Sequence, residues 1–216
     1  MNFDILIMAA GLGKRMKSTI PKPVIPVLNK PMLVRILDTI STLDVIPEKI
    51  YIITNHISYN VIVEACRDKI PASLLDRIHW LRQLIEPCGT GSSVQEAIKQ
   101  MYIKDKSKPL VILSSDVPMI SKPTIQRLLD NSKTLPVANI LTTVMDNPTG
   151  YGRIISNNGC FVKIVEQKDA SETEKAIDVV NTGIYCISYS YLQNELFSIS
   201  NINASNEYYL TDVFGI

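Results

Sequence analysis

The chain has 216 residues, 46% of them hydrophobic, and a formal net charge of +1. That length and apolar content suit one domain with a sizeable core. So balanced a charge gives no general pull toward nucleic acid or a membrane surface. No apolar run reaches the span of a bilayer. The N-terminus, with Asp4 and no basic lead, does not read as a secretory signal, so a cytoplasmic protein is expected. Cys66, Cys88, Cys160 and Cys186 lack metal-ligand spacing and read as free thiols.

The apolar run from Ile5 to Ala10 has the length and β-branched content of a buried strand. It leads into Gly11-Leu12-Gly13, then into Lys14, Arg15, Lys17, Lys22, Lys30 and Arg35, with no acidic residue between Asp4 and Asp38. A strand, a glycine turn and an unopposed basic stretch together suit a polyphosphate: backbone N–H groups cradle the oxygens and the cations neutralise them. The third glycine of a dinucleotide fingerprint would fall at Met16, and no Gly-Lys-Ser/Thr follows, which disfavours a nicotinamide site and a P-loop.

The pattern continues as a helix over 32–40 behind Pro31, a strand over 49–54, a helix over 59–67, a strand over 78–83, a helix over 90–101 and an apolar strand over 109–113. Such alternation predicts a parallel, doubly wound sheet, with ligands at the carboxyl ends of the strands. Past about residue 136 the pattern changes. Strands at 137–145, 153–156, 161–166 and 179–187, with little helix between them, predict an antiparallel or mixed extension of the sheet.

Several segments carry chemistry. Gln83 precedes a Gly89-Thr90-Gly91 turn that exposes backbone N–H groups before a helix. The Gln83 amide, donor and acceptor at once, matches the edge of uracil. Asp116, in Ser114-Ser115-Asp116-Val117-Pro118, follows the apolar strand and offers a carboxylate to Mg²⁺, a hard cation that also takes phosphate oxygens. The turn Asn147-Pro148-Thr149-Gly150-Tyr151-Gly152-Arg153 can present a backbone N–H to a sugar hydroxyl, and Glu166 and Asn181 suit hydroxyl recognition.

In this order and spacing the segments resemble the sugar-phosphate nucleotidyltransferases, and in particular the uridylyltransferase domain of the bacterial N-acetylglucosamine-1-phosphate uridyltransferases. The resemblance rests on Ala9-Ala10-Gly11-Leu12-Gly13-Lys14-Arg15-Met16 with Pro21-Lys22, on Asp116-Val117-Pro118, on Pro148-Thr149-Gly150-Tyr151-Gly152-Arg153-Ile154 and on Glu207-Tyr208-Tyr209-Leu210-Thr211-Asp212. It runs from about residue 3 to 213. It implies an α/β, Rossmann-like (GT-A-like) mixed sheet with helices on both faces. It also implies a single domain over 1–216, with a nucleotide-binding lobe over about 1–135 and a sugar-binding part over about 136–216.

The resemblance assigns UTP to Ala9, Ala10, Gly11, Gly13, Arg15, Lys22, Gln83, Gly89 and Thr90, and the sugar to Gly152, Glu166, Asn181 and Thr211. Arg15, Lys22 and Asp116 are the expected catalytic residues, with Asp116 holding Mg²⁺. The expected reaction joins UTP and N-acetylglucosamine 1-phosphate to give UDP-N-acetylglucosamine and pyrophosphate. Another sugar 1-phosphate such as glucose 1-phosphate, or a non-catalytic binding protein on the same fold, are the alternatives. Neither nucleic acid nor membrane is an expected partner, and a homo-oligomer stays open. Four features depart from the family pattern. The spacer after Gln83 is one residue longer, Ser115 replaces the usual glycine before Asp116, and the family's β-helix repeat and a later metal-binding Asn have no counterpart within the 216 residues.

Overall fold

The computed structural model describes residues 2–11, 13, 16, 18–84, 88–133 and 137–215. In chain order the elements are β1 (Asp4–Ala9), β2 (Pro26–Val27), β3 (Lys30–Pro31), α1 (Met32–Ser41), β4 (Ile50–Asn55), α2 (Tyr59–Cys66), β5 (Ile78–Gln83) and α3 (Gly89–Gln100). There follow β6 (Pro109–Ser114), α4 (Lys122–Asn131), β7 (Ala138–Val144), β8 (Arg153–Asn157), β9 (Cys160–Val165), α5 (Glu172–Lys175), β10 (Val179–Ser188) and α6 (Tyr189–Glu195). Short 3-10 segments lie at Lys22–Val24, Arg67–Lys69, Ala72–Arg77 and Leu210–Phe214.

One eight-stranded sheet runs in the order β5-β4-β1-β6-β10-β8-β9, with β7 also paired to β10. The four strands read as a parallel unit are parallel. β10 reverses direction against β6, and β7, β8 and β9 join it in antiparallel pairs. The later half of β10, Tyr185 to Ser188, pairs with β6; Val180 pairs with Arg153 of β8, and a register shift falls between Asn181 and Tyr185.

Alternation along the strands feeds two cores. Ile5, Ile7 and Ala9 of β1 pack with α1, α2 and α4 on one face, and Leu6 packs with α3, α6 and the turn at Leu210–Phe214 on the other. Each fully buried Ile or Leu contributes about 1.5–3 kcal/mol. Helices cover both faces, as expected of a doubly wound sheet. Among the described residues no helix is long and apolar enough to cross a membrane.

Two features go beyond the sequence reading. In α4 the Ser121 side chain caps the Thr124 N–H, and Ile125, Leu128 and Leu129 turn inward at helical spacing. The β2–β3 hairpin turns through Leu28 and Asn29, both at positive φ (48° and 63°). A leucine rarely adopts that conformation, so the residue type conceals the turn.

Candidate active site

The carboxyl ends of β1 and β6 and the N-terminus of α3 border a cleft of about 670 Å³. Gly11, Gly13, Lys22, Gly89, Thr90 and Asp116 all line it, together with Ala10. These residues are far apart in the chain and meet because β1 and β6 are adjacent parallel strands whose ends open on the same side. Ala9 is buried in β1, directly beneath the loop. Arg15 lies outside the described residues.

At the floor of the cleft Lys22 donates from Nζ to Asp116 Oδ2 at 2.6 Å, and the Ser114 hydroxyl donates to Oδ1 at 2.5 Å. Burial alone would raise the Asp116 carboxyl, but these two donors outweigh it and hold it below the usual carboxylate range. Lys22 is placed for this by a 3-10 turn with Pro21 before it and Pro23 within it. Asn55, at the end of β4, donates from Nδ2 to the Ala10 carbonyl at 3.1 Å and anchors the start of the glycine loop. Its position just past an apolar strand was the one sequence signal for that role.

The opposite wall is a junction between α3 and the segment 207–211. The Gly91 N–H donates to the Tyr208 carbonyl at 2.7 Å, the Tyr208 N–H to the Cys88 carbonyl at 2.8 Å, and the Leu210 N–H to Thr90 Oγ1 at 3.0 Å. The glycines permit this approach. A Cβ on Gly89, at φ +91°, would lie 2.4 Å from the Tyr208 oxygen, and one on Gly91 would lie 2.8 Å from it. The Gly-Thr-Gly turn thus serves chain packing as well as lining the cleft.

Gln83 stands behind that wall. Its side chain is fully buried, its Oε1 accepts from Ser93 Oγ at 3.0 Å, and its Nε2 has no partner among the described residues. Ser93, not Gln83, lines the cleft. A buried amide with a free donor is costly unless a ligand or rearrangement satisfies it.

The four sugar-site expectations converge. Thr211 Oγ1 donates to Glu166 Oε1 at 3.0 Å, the Asn181 N–H donates to the Gly152 carbonyl at 2.9 Å, and a Cβ on Gly152 would sit 3.4 Å from both Glu166 carboxylate oxygens. Asn181 also donates from Nδ2 to the buried Tyr185 hydroxyl at 2.7 Å. The turn before Gly152 is held by Arg153, almost wholly buried, which donates to the Tyr151 carbonyl and to Gln167 Oε1 at 2.7 Å. Gln167 in turn accepts from the Gly150 N–H at 3.0 Å. Arg153 and Gln167 were not expected as site residues, because nothing local shows that an arginine following a glycine turn will point inward.

Burial pushes the Glu166 carboxyl above its ordinary range; Asp212, Asp169 and Glu207 add to the rise and Thr211 opposes it. A carboxyl raised on folding adds stability below its unfolded pKa and loses it as pH climbs through the folded one. Thr211→Val removes the opposing donor. The Glu166 carboxyl should then titrate at a still higher pH, which an NMR titration of both proteins checks.

Comparison with known proteins places these features in a family. Residues 5–170 match the MobA-like NTP transferase domain. The bifunctional protein GlmU of Herminiimonas arsenicoxydans is 40% identical over 210 residues, covering 97% of this chain and 43% of the relative. That of Azoarcus sp. strain BH72 is 41% identical over 215 residues, covering 99% and 44%. The chain therefore spans less than half the length of these relatives. A crystal structure of UDP-glucose pyrophosphorylase complexed with UDP-glucose superposes with a TM-score of 0.71 at 17% identity, covering 99% of this chain and 85% of that one. A putative glucose-1-phosphate thymidylyltransferase from Bacillus anthracis, in complex with a sucrose, superposes with a TM-score of 0.71 at 18% identity, covering 98% and 80%. With residues 5–170 matched, most of its length, the chain belongs to the MobA-like NTP transferase domain family.

Proposed function

We propose that the protein transfers a uridylyl group from UTP to N-acetylglucosamine 1-phosphate, releasing pyrophosphate. The observation that carries this reading is the arrangement of two polar clusters about one wall. Gly11, Gly13, Lys22 and Asp116 lie on one side, and Gly152, Glu166, Asn181 and Thr211 on the other, joined through the 207–211 segment on α3. The cation and glycines of the cleft suit a nucleoside triphosphate, and the hydroxyl-binding groups, tied to its wall through Glu207 and Thr211 of one segment, suit a sugar phosphate beside it.

The acceptor phosphate oxygen attacks the α-phosphorus of UTP. A new P–O bond forms as the bond to the bridging α,β-oxygen breaks, and that oxygen leaves with its electron pair on pyrophosphate. Most of the barrier in such transfers is met by positioning and charge neutralisation. No general base is required, because a phosphate monoester has a second pKa of about 6 and is largely ionised at neutral pH. Lys22 steadies charge on the triphosphate and on the departing pyrophosphate, and Arg15 is assigned the same work. Thr211 keeps Glu166 oriented to accept from a sugar hydroxyl, and Asn181, fixed by Tyr185, shapes the other side.

The donor set fits Mg²⁺. Among the described residues there is no cage of three or more metal-type side chains, only the Asp116 carboxylate with the Ser114 hydroxyl at the cleft floor. Mg²⁺ commonly takes one or two carboxylates and completes its shell with water and substrate phosphates. Bound there, it would supply Lewis-acid polarisation of the phosphate oxygens.

The test is pyrophosphate release with Mg²⁺, and with EDTA in its place, for UTP, CTP, dTTP, GTP and ATP. Each is offered with N-acetylglucosamine, glucose, galactosamine and mannose 1-phosphates. The expected result is turnover confined to UTP with N-acetylglucosamine 1-phosphate and abolished by EDTA. Turnover with a different pair overturns the assigned substrates and keeps the reaction class. Silence from folded protein that binds UTP overturns the catalytic reading.

A further inference from the structure

Both oxygens of the Asp116 carboxylate are already engaged. Oδ2 accepts from Lys22 Nζ at 2.6 Å and Oδ1 from Ser114 Oγ at 2.5 Å. The ammonium therefore stands against the carboxylate, where an incoming cation would have to bind. A divalent cation set beside it would meet a like charge at close range, in a half-buried site where screening by water is reduced. No other cluster of ligating side chains among the described residues compensates for that repulsion. Lys22 also has a second place to go. It lines the same cleft as Gly11 and Gly13, on the side expected to hold the triphosphate, and its long stem lets the ammonium move without its backbone.

We propose that Lys22 is the resident counter-ion of Asp116 in the free protein, and that it gives up this place to the divalent metal only when nucleotide phosphates draw the ammonium away. Besides its contact with the triphosphate, Lys22 thus couples metal binding to nucleotide binding. The free protein holds the metal weakly, and nucleotide and metal strengthen each other's binding by the same factor. The arrangement makes the order of assembly a property of one side chain and keeps the metal site closed while no phosphate is present. This rests on the reading of Asp116 as the metal-binding carboxylate.

The test is Mn²⁺ binding to nucleotide-free protein, followed by the electron paramagnetic resonance signal of the free ion. Wild type is compared with Lys22→Met, Lys22→Arg and Lys22→Met/Asp116→Asn, each checked for native circular dichroism. We expect Lys22→Met to bind Mn²⁺ on the order of tenfold to a hundredfold more tightly than wild type, the usual range for coupled sites. Lys22→Arg, which keeps the cation, stays as weak as wild type, and the double variant loses the gain. Equal or weaker Mn²⁺ binding by Lys22→Met, with further loss in the double variant, overturns the counter-ion role while leaving Asp116 as the metal carboxylate. Tighter binding that persists in the double variant places the ion elsewhere and overturns the reading of Asp116 itself. Tightening in Lys22→Arg equal to that in Lys22→Met also overturns the proposal, because the charge would then not matter.

Discussion

Asp116→Asn is expected to lower turnover by about a thousandfold while the protein stays folded. The substitution keeps the shape of the side chain and removes the charge. Loss of a single well-placed electrostatic group commonly costs a hundredfold to a thousandfold in rate, about 3–4 kcal/mol of barrier. Stability should change by less than about 1 kcal/mol, because the ion pair with Lys22 is about one-third exposed on both sides (31% and 37%) and such pairs contribute little. Asp116 is held below its ordinary pKa. Its small share of stability is present above the unfolded carboxylate value and fades as pH falls through the folded one. Pyrophosphate release read beside a thermal melt separates the two effects. A variant that melts with wild type and turns over within tenfold of it would remove Asp116 from the chemistry.

Gly89→Ala carries the largest expected structural penalty. The new Cβ would lie 2.4 Å from the Tyr208 carbonyl oxygen and 2.9 Å from the Glu207 Cβ, so the 207–210 segment must move off α3. The backbone there is also at φ +91°, a conformation that costs a residue with a Cβ about 1–2 kcal/mol. Together we expect about 3 kcal/mol of destabilisation and a fall in Tm of about 6–12 °C for a chain of this size. Thr211 follows the displaced segment, so the acceptor KM should rise with it. Gly150→Ala is the matched control. Its φ is +90°, but an added Cβ there meets nothing within 4 Å, so it isolates the backbone cost from the collision. Equal losses from the two variants would show that the approach of Tyr208 contributes nothing.

Much of the fold was legible because its signals are local. β1, β4 and β6 are short apolar runs bounded by polar turns, and each was readable without reference to another part of the chain. The carboxyl-end rule then brought Gly11, Gly89 and Asp116 to one side of the sheet. What stayed hidden depends on distance. Lys22 meets Asp116 across 94 positions, and Leu210 meets Thr90 across 120. No periodicity marks such pairs. Glycine spacing suggested that Gly89-Thr90-Gly91 face a ligand, yet much of their role is to admit Tyr208. The burial of Gln83 was equally invisible, because an amide at the end of a half-exposed strand reads the same whether it faces a cleft or the core behind it. α4 was hidden for another reason: Pro123 sits in its first turn, where proline starts a helix but reads as a break.

The hand-over of β10 from β6 to β8 sets where this architecture tolerates change. A strand slipped by one residue exchanges its two faces. In β10 that slip would turn Asn181 away from Gly152 and Tyr185 out of the core in a single event. Length variation in those ten residues is therefore shut out by the core and by the Gly152 contact at once. The tip of the β8–β9 hairpin is the opposite case. Asn158 and Gly159 turn there at positive φ, and the flanking residues of β9 from Cys160 to Lys163 are exposed. Extra residues at that tip would extend into solvent, at the end of β9 opposite Glu166, so the hairpin can lengthen there while β10 keeps its length.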